Sequence, residues 1–304
     1  MAWRGIHISQ AARIGLRNAQ LLVAINDNEV CIPIEDIAFL VLDTPQSTIT
    51  GAVMAALSDN GVVIIQSDAK HHPTMMGIPF HGHHKQAEIA HLQIGTSEPF
   101  KKRAWQKIIQ AKLENQTAHL LSIGRDAGAI PAMVSRVNSG DTANLEAQGA
   151  RIYWGKLFEN YRRADSDDLR NAMLNYGYAI VRASLARAVT ASGLIPAFGL
   201  FHNSVTNAFN LADDLIEPFR PSIDALACRL FNESCEKAGE LTLEHRRALV
   251  GIMNEPVKIG YETMTLLAAT ELFTQSLVRA MKAKNPALLK VPKFVAYTQE
   301  LSAA

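Results

Sequence analysis

The sequence predicts an α+β protein: a small N-terminal β-rich domain over residues 1–68, a short linker over 69–84, and a larger all-α-helical domain over 85–304. Three observations predict it. Short runs of Val, Ile and Leu crowd the first 68 residues. The stretch HHPTMMGIPFHGHH then breaks the pattern, with two prolines, two glycines and five of the ten histidines. Beyond residue 85 the apolar positions recur at helical spacing almost throughout.

In order, LLVAI at 21–25, VCIPI at 30–34, IAFLVLD at 37–43 and VVIIQ at 62–66 read as strands. Asn26-Asp27-Asn28 between the first two is a hairpin signal, and Ser47 to Ser58, rich in Ala, Met and Leu, reads as one helix within the sheet domain. The histidine-rich linker lacks regular ligand spacing or a carboxylate partner, so a solvated or interfacial loop is expected there. Helices are expected near 98–124, 142–163, 168–191, 222–238, 242–252 and 256–283, and the proline-containing tail KNPALLKVPKF is expected to be peripheral.

A chain of 304 residues, 48% hydrophobic, can bury a large core in two domains. No apolar run reaches the roughly 20 residues of a membrane span, and MAWRGIHIS carries no signal-peptide pattern, so a soluble cytoplasmic protein without a membrane partner is expected. Cys31, Cys228 and Cys235 form no C-x-x-C pair and read as core thiols. A net charge of +1 does not announce a nucleic-acid binder, although Lys101, Lys102, Arg103, Lys107 and Lys112 cluster around Trp105 as a phosphate-contacting or plain solvated face.

The chemistry concentrates in GLFHNSVTNAFNLADDLIEPFRP, Gly199 to Pro221. Asp214 and Glu217 are three apart, so on one helix they share a face and their carboxylates converge. On an unbroken helix His202 would lie roughly 22 Å from Glu217. The Asn- and Ser-rich run between them must therefore break, leaving a loop-borne imidazole against a short acidic helix, a setting for mixed nitrogen and oxygen metal ligation. Upstream, NLEAQGARIYW places Glu146 on a helix among apolar and basic neighbours. Other templates fail. Gly149 to Lys156 misses the P-loop spacing, no G-x-S-x-G or H-E-x-x-H occurs, and only Glu88 to His91 fits a di-iron Glu-x-x-His.

Taken together, NLEAQGARIYW, NAMLNYGYAIVRASLARAVTASGLIPAFGLFH and FNLADDLIEPFRP resemble, in order and spacing, the CRISPR-associated integrase-nuclease family of spacer acquisition. The opening MAWR and the compact length are similar to its type II branch. The resemblance implies a β domain that dimerises and a helical domain that is catalytic. It implies metal ligands at Glu146, His202 and Glu217, with Glu217 where many members carry aspartate, and a further acidic catalytic position at Asp214. Asp213 has no counterpart and reads as a solvated neighbour. The implied cofactor is Mg²⁺ or Mn²⁺, which suits hard carboxylate oxygens and one imidazole.

The implied activity is metal-dependent insertion of short foreign DNA duplexes into a CRISPR array by 3′-hydroxyl attack on repeat phosphodiesters, or cleavage when water attacks. The implied partners are double-stranded DNA (the spacer precursor and the CRISPR repeat), a second copy of the chain as homodimer, and a small dimeric CRISPR-associated companion protein in a higher-order complex. The type II effector nuclease is a further partner it allows. Lys101, Lys102, Arg103, Arg182 and Arg220 are the candidate DNA track. Two rival readings are a metal phosphodiesterase on small nucleotides and a non-catalytic DNA-binding scaffold.

Overall fold

The computed structural model describes residues 2–80, 82–234 and 239–296. The first lobe contains β1 (Arg4–Ile8), β2 (Arg13–Arg17), β3 (Gln20–Ile25), β4 (Asn28–Pro33), β5 (Ile37–Leu42), β6 (Thr48–Ile49), α1 (Gly51–Asp59), β7 (Val63–Ser67) and β8 (Pro73–Gly77). They form two four-stranded sheets, ordered β1-β5-β7-β8 and β4-β3-β2-β6. In the first, β1, β5 and β7 are parallel and β8 closes the edge antiparallel. The second is an antiparallel β2-β3-β4 meander with β6 parallel to β2. The β3–β4 hairpin turns at Asn26, where φ is +52°, as an Asn at a positive-φ turn position can.

The second lobe follows with α2 (Gln86–Ile94), α3 (Glu98–Ser122), α4 (Ile130–Val134), α5 (Leu145–Leu157), α6 (Leu169–Ala191), α7 (Asn210–Leu215), α8 (Arg220–Glu233), α9 (Leu243–Val250), β9 (Pro256–Ile259), β10 (Glu262–Thr265), α10 (Leu266–Lys282) and β11 (Lys293–Phe294). β5 is buried along its whole length, as a near-continuous apolar run covered on both faces should be. Its side chains divide between two cores. Ile37, Leu40 and Leu42 face β2, β3 and α1, whereas Phe39 and Val41 join the helical core around α3, α6 and α10. At the end of β5, fully buried Asp43 accepts from Arg246 Nε of α9 at 2.6 Å and lies 3.0 Å from His7 Nε2.

Several expectations need correction. The segment 69–84 is not all loop, because β8 pairs with β7, and His71, partly exposed, lies 3.1 Å from Asp43 Oδ1. The helix expected from 256 begins only at Leu266: Val257 and Ile259 are buried while Lys258 is exposed, the alternation of a strand, and Gly260 at φ +64° turns it into β10. The tail is not peripheral. Leu289 is buried, Lys107 Nζ donates to the Ala287 and Leu289 carbonyls at 2.9 Å each, and β11 pairs with β9. Cys228 is buried but Cys31 is exposed, on an outward position of β4. Cys235, the end of the helix expected to 238 and the last residues of the tail lie outside the described residues. No helix among the described residues is long and apolar enough to cross a membrane.

Candidate active site

Glu146 sits in the first turn of α5, where an acidic side chain suits the helix N-terminus. Asn144 precedes it in a left-handed conformation, and the Asp141 carboxylate accepts from the Leu145 and Glu146 backbone N–H groups at 2.9 Å each. The start of α5 is thus fixed by a side chain four residues upstream. Gly149, one turn on, lets α5 approach α3: a Cβ there would stand 2.3 Å from Leu113 Cδ2. This close approach brings Glu146 to Lys112 of α3, a nearly buried lysine. The Lys112 ammonium donates to Glu146 Oε1 and to Glu217 Oε2.

Glu217 opens a short 3₁₀ turn, Glu217–Phe219, after α7. Its second oxygen, Oε1, accepts from Arg220 Nε at 2.7 Å. Burial alone would raise its pKa, but Arg220 and Lys112 overcome that and hold it down to about 2. The cavity that receives both glutamates is small, about 190 Å³, and is also lined by Gln116, Arg163, Tyr178, Arg220 and Asp224. Asp224 lies deepest, accepting from the Tyr178 hydroxyl, and burial pushes its pKa up to about 7.

His202 lies in a separate groove of about 540 Å³ that is also lined by Phe198, Asn203 and Val205. Its ring stands edge-on to Trp105, against which Phe201 stacks at 4.4 Å. Asp214, fully buried, organises this loop. Its Oδ2 accepts from the Leu200 and Phe201 backbone N–H groups at 2.5 and 3.0 Å, and its Oδ1 from the His202 backbone N–H at 3.1 Å. His202 Nδ1 lies 2.7 Å from the same Oδ1. A carboxylate only accepts, so Nδ1 carries the proton and Nε2 is left as the ring's open nitrogen. The hydrogen bond to Asp214 raises the His202 pKa, outweighing burial.

The family comparison agrees with this arrangement of elements. A family model described as CRISPR associated protein Cas1 matches residues 6–249. The chain belongs to the Cas1 family. A CRISPR-associated endonuclease Cas1 of Neisseria meningitidis serogroup C is 36% identical over 298 residues, 97% of each chain. Among solved structures, a casposase bound to an integration product superposes with a TM-score of 0.76 at 18% identity, covering 94% of this chain and 92% of that one. A chain of a Cas6-RT-Cas1–Cas2 complex superposes with a TM-score of 0.74 at 18% identity, covering 96% of this chain and 36% of that one. The Cas1 fold, strand-rich then helical, is therefore the fold of this chain.

Against the positions expected from the Cas1 resemblance, the structure joins Glu146 to Glu217 through Lys112 and sets His202 in a different groove. Among the described residues, no three His, Cys, Asp or Glu side chains stand ready around one metal position. Asp214 and Glu217, three apart across the junction of α7 and the 3₁₀ turn, take separate partners: Glu217 is held by Lys112 and Arg220. Asp214 serves the His202 loop instead. Asp213 is no solvated neighbour: it accepts from Arg182 Nε at 2.5 Å and Asn207 Nδ2 at 2.6 Å. Arg182 is thereby engaged, as Arg220 is by Glu217. Lys101 pairs with Glu98 at 2.9 Å, while Lys102 and Arg103 are exposed on α3. Lys112, expected on a phosphate-contacting or solvated face, is instead buried between the two glutamates, and Asp224 has no part in the sequence reading. The signal for Lys112 was its place seven residues after Trp105, on the buried stripe of α3 with Ile108 and Ile109.

Proposed function

We propose that this Cas1-family chain is a metal-dependent DNA integrase and endonuclease of CRISPR adaptation, acting at Glu146, Glu217 and His202. The observation that carries the reading is the meeting of two glutamates, 71 positions apart in sequence, about a single positive charge in a cavity. The donor set fits Mg²⁺ or Mn²⁺: two carboxylates already gathered about a cation, and an adjoining imidazole whose Nε2 is open because Nδ1 is spent on Asp214. When bound, such a cation supplies Lewis-acid polarisation of the scissile phosphate and orients the attacking 3′-hydroxyl. The chain itself contributes charge and position. Arg220 and Arg163 line the cavity wall and oppose the phosphate's negative charge. Trp105 and Phe201 brace the His202 ring, and Asp214 fixes its tautomer.

The casposase neighbour is bound to an integration product and another neighbour belongs to a complex with Cas2. On that likeness we carry to this chain double-stranded DNA as substrate and a small dimeric Cas2-type companion. A homodimer through the β lobe supplies two active sites for two strand attacks. The test mixes the protein and companion with a pre-cut duplex and a supercoiled repeat-bearing plasmid, with Mn²⁺ or with EDTA. Integration should require metal and be lost in Glu217→Ala while duplex affinity persists, since phosphate contacts supply most of the binding. Metal-independent DNA binding with no strand transfer under any condition would favour a scaffold. Cleavage confined to dinucleotides would favour a small-nucleotide phosphodiesterase.

A further inference from the structure

Four of the charged groups that line the cavity are linked to one another. Lys112 donates to one oxygen of each glutamate, and Arg220 takes the remaining Glu217 oxygen at 2.7 Å. Two positive and two negative charges therefore cancel, with Lys112 and Glu217 buried and Glu146 and Arg220 partly open to solvent. A divalent cation added to that set would leave two uncompensated positive charges in low dielectric, which is costly. Its entry between the carboxylates requires the positive charge that bridges them to move aside. Arg220 is poorly placed to do so, because it is stacked over the Tyr178 ring at 4.5 Å and anchored at the start of α8. Lys112 occupies the position that bridges the carboxylates, and its four-carbon stem is flexible.

The structure also provides somewhere for that ammonium to go. Gln116 lies four residues further along α3, on the same helix face and on the wall of the same cavity. Its Oε1 is buried and accepts no hydrogen bond. A buried amide oxygen without a donor is uncommon and costs stability. The side chain of Lys112 can reach an acceptor at that spacing.

We propose that Lys112 is an internal cation with two positions: it holds Glu146 and Glu217 together in the metal-free protein, and it swings to Gln116 Oε1 when a divalent cation takes its place. Metal affinity is then set by a competition with the chain's own lysine. The proposal rests on the metal reading of the two glutamates. It makes Lys112 a positioning residue that keeps the site assembled until metal arrives.

The experiment is a Mn²⁺ titration of the full-length protein followed by electron paramagnetic resonance, paired with thermal melts in EDTA and in saturating Mn²⁺. Lys112→Met keeps the stem and removes the charge. It should bind Mn²⁺ at least tenfold more tightly, melt lower than wild type in EDTA, and gain more from Mn²⁺ than wild type does. Gln116→Leu removes the receiving oxygen. It should bind Mn²⁺ more weakly while its melt in EDTA does not fall. Unchanged or weaker Mn²⁺ binding by Lys112→Met, or unchanged binding by Gln116→Leu, overturns the proposal. Should Lys112→Met fail to fold, the Gln116→Leu titration decides alone. Glu146→Gln/Glu217→Gln separates the two readings: wild-type Mn²⁺ affinity in that double variant removes the metal site itself, whatever Lys112 does.

Discussion

Replacing Asp214 with Asn tests whether the His202 loop is built around a carboxylate. Each oxygen of Asp214 accepts two donors: Oδ2 those of Leu200 and Phe201, and Oδ1 the backbone N–H and the Nδ1–H of His202. An amide has one oxygen, so either orientation costs two acceptances. Turning the amide nitrogen towards Leu200 and Phe201 strands two backbone donors. Turning it towards His202 strands only one, because the imidazole can move its proton to Nε2 and accept at Nδ1. The second arrangement should win, at about 2 kcal/mol for one stranded buried donor and the lost charge assistance. Over a chain of 304 residues that corresponds to a Tm lower by about 3 °C.

The larger effect is chemical. The open nitrogen of the ring becomes protonated, and removing such an outer partner typically costs 10- to 100-fold in metal affinity or activity. Guanidinium unfolding with an unchanged m-value measures the first effect, and ¹⁵N spectra of the neutral histidines report the tautomer. An Asp214→Asn protein with wild-type strand transfer and its His202 proton still on Nδ1 would refute the reasoning.

Gly149→Ala should push α5 off α3, since the added methyl would meet Leu113 at 2.3 Å. Overpacking of about 1–3 kcal/mol should appear in the melt. Single-turnover integration should fall about 100-fold as Glu146 is displaced, with duplex affinity retained. Asp224→Asn tests a pH dependence. Burial raises the folded pKa from 3.8 to about 7, so the folded state holds this proton more tightly than the unfolded state. The stabilisation from this group is complete below pH 3.8 and is lost as pH rises to about 7. The stability difference between wild type and variant should therefore drift against wild type across that window and then level off; a constant difference in unfolding free energy contradicts it. Lys102→Ala/Arg103→Ala should reduce the salt slope of duplex binding by roughly 0.7 to 0.9 per lost phosphate contact, whereas Arg182, committed to Asp213, should leave it unchanged.

Local pattern made most elements legible, and long-range pairing hid the rest. The strands at 21–25, 37–43 and 62–66 and the helices at 98–124 and 168–191 lie within a few residues of their expected places, because each carries its period in its own residues. The misplaced stretch at 256–265 shows the limit. PVKIGYETMT alternates as a strand, but it abuts the strongly helical LLAATELFTQSLVRAMK and was absorbed by it. Glu146, His202 and Glu217 were expected from the resemblance, and the structure gathers Glu146 and Glu217 about Lys112. What Asp214 does was not legible, since three of its four donors are backbone N–H groups, which leave no trace in residue identity. Lys112 was hidden for another reason. In sequence it closes a run of basic residues, and only the approach of α5 and of the Glu217 turn, 34 and 105 positions away, makes it a buried counterion.

The division of β5 between two cores bears on how the protein comes apart. Phe39 and Val41 complete the helical core while Leu40 and Leu42 complete the sheet core, so neither lobe has a finished interior without the other. A chain cut after residue 68 would present the outer faces of β5 and β7 to water, with Phe39, Val41, Val63 and Ile65 as a sticky apolar wall and Asp43 deprived of Arg246. The lobes should accordingly melt in one transition rather than two, and the amides of β5 should be among the last in the molecule to exchange with deuterium.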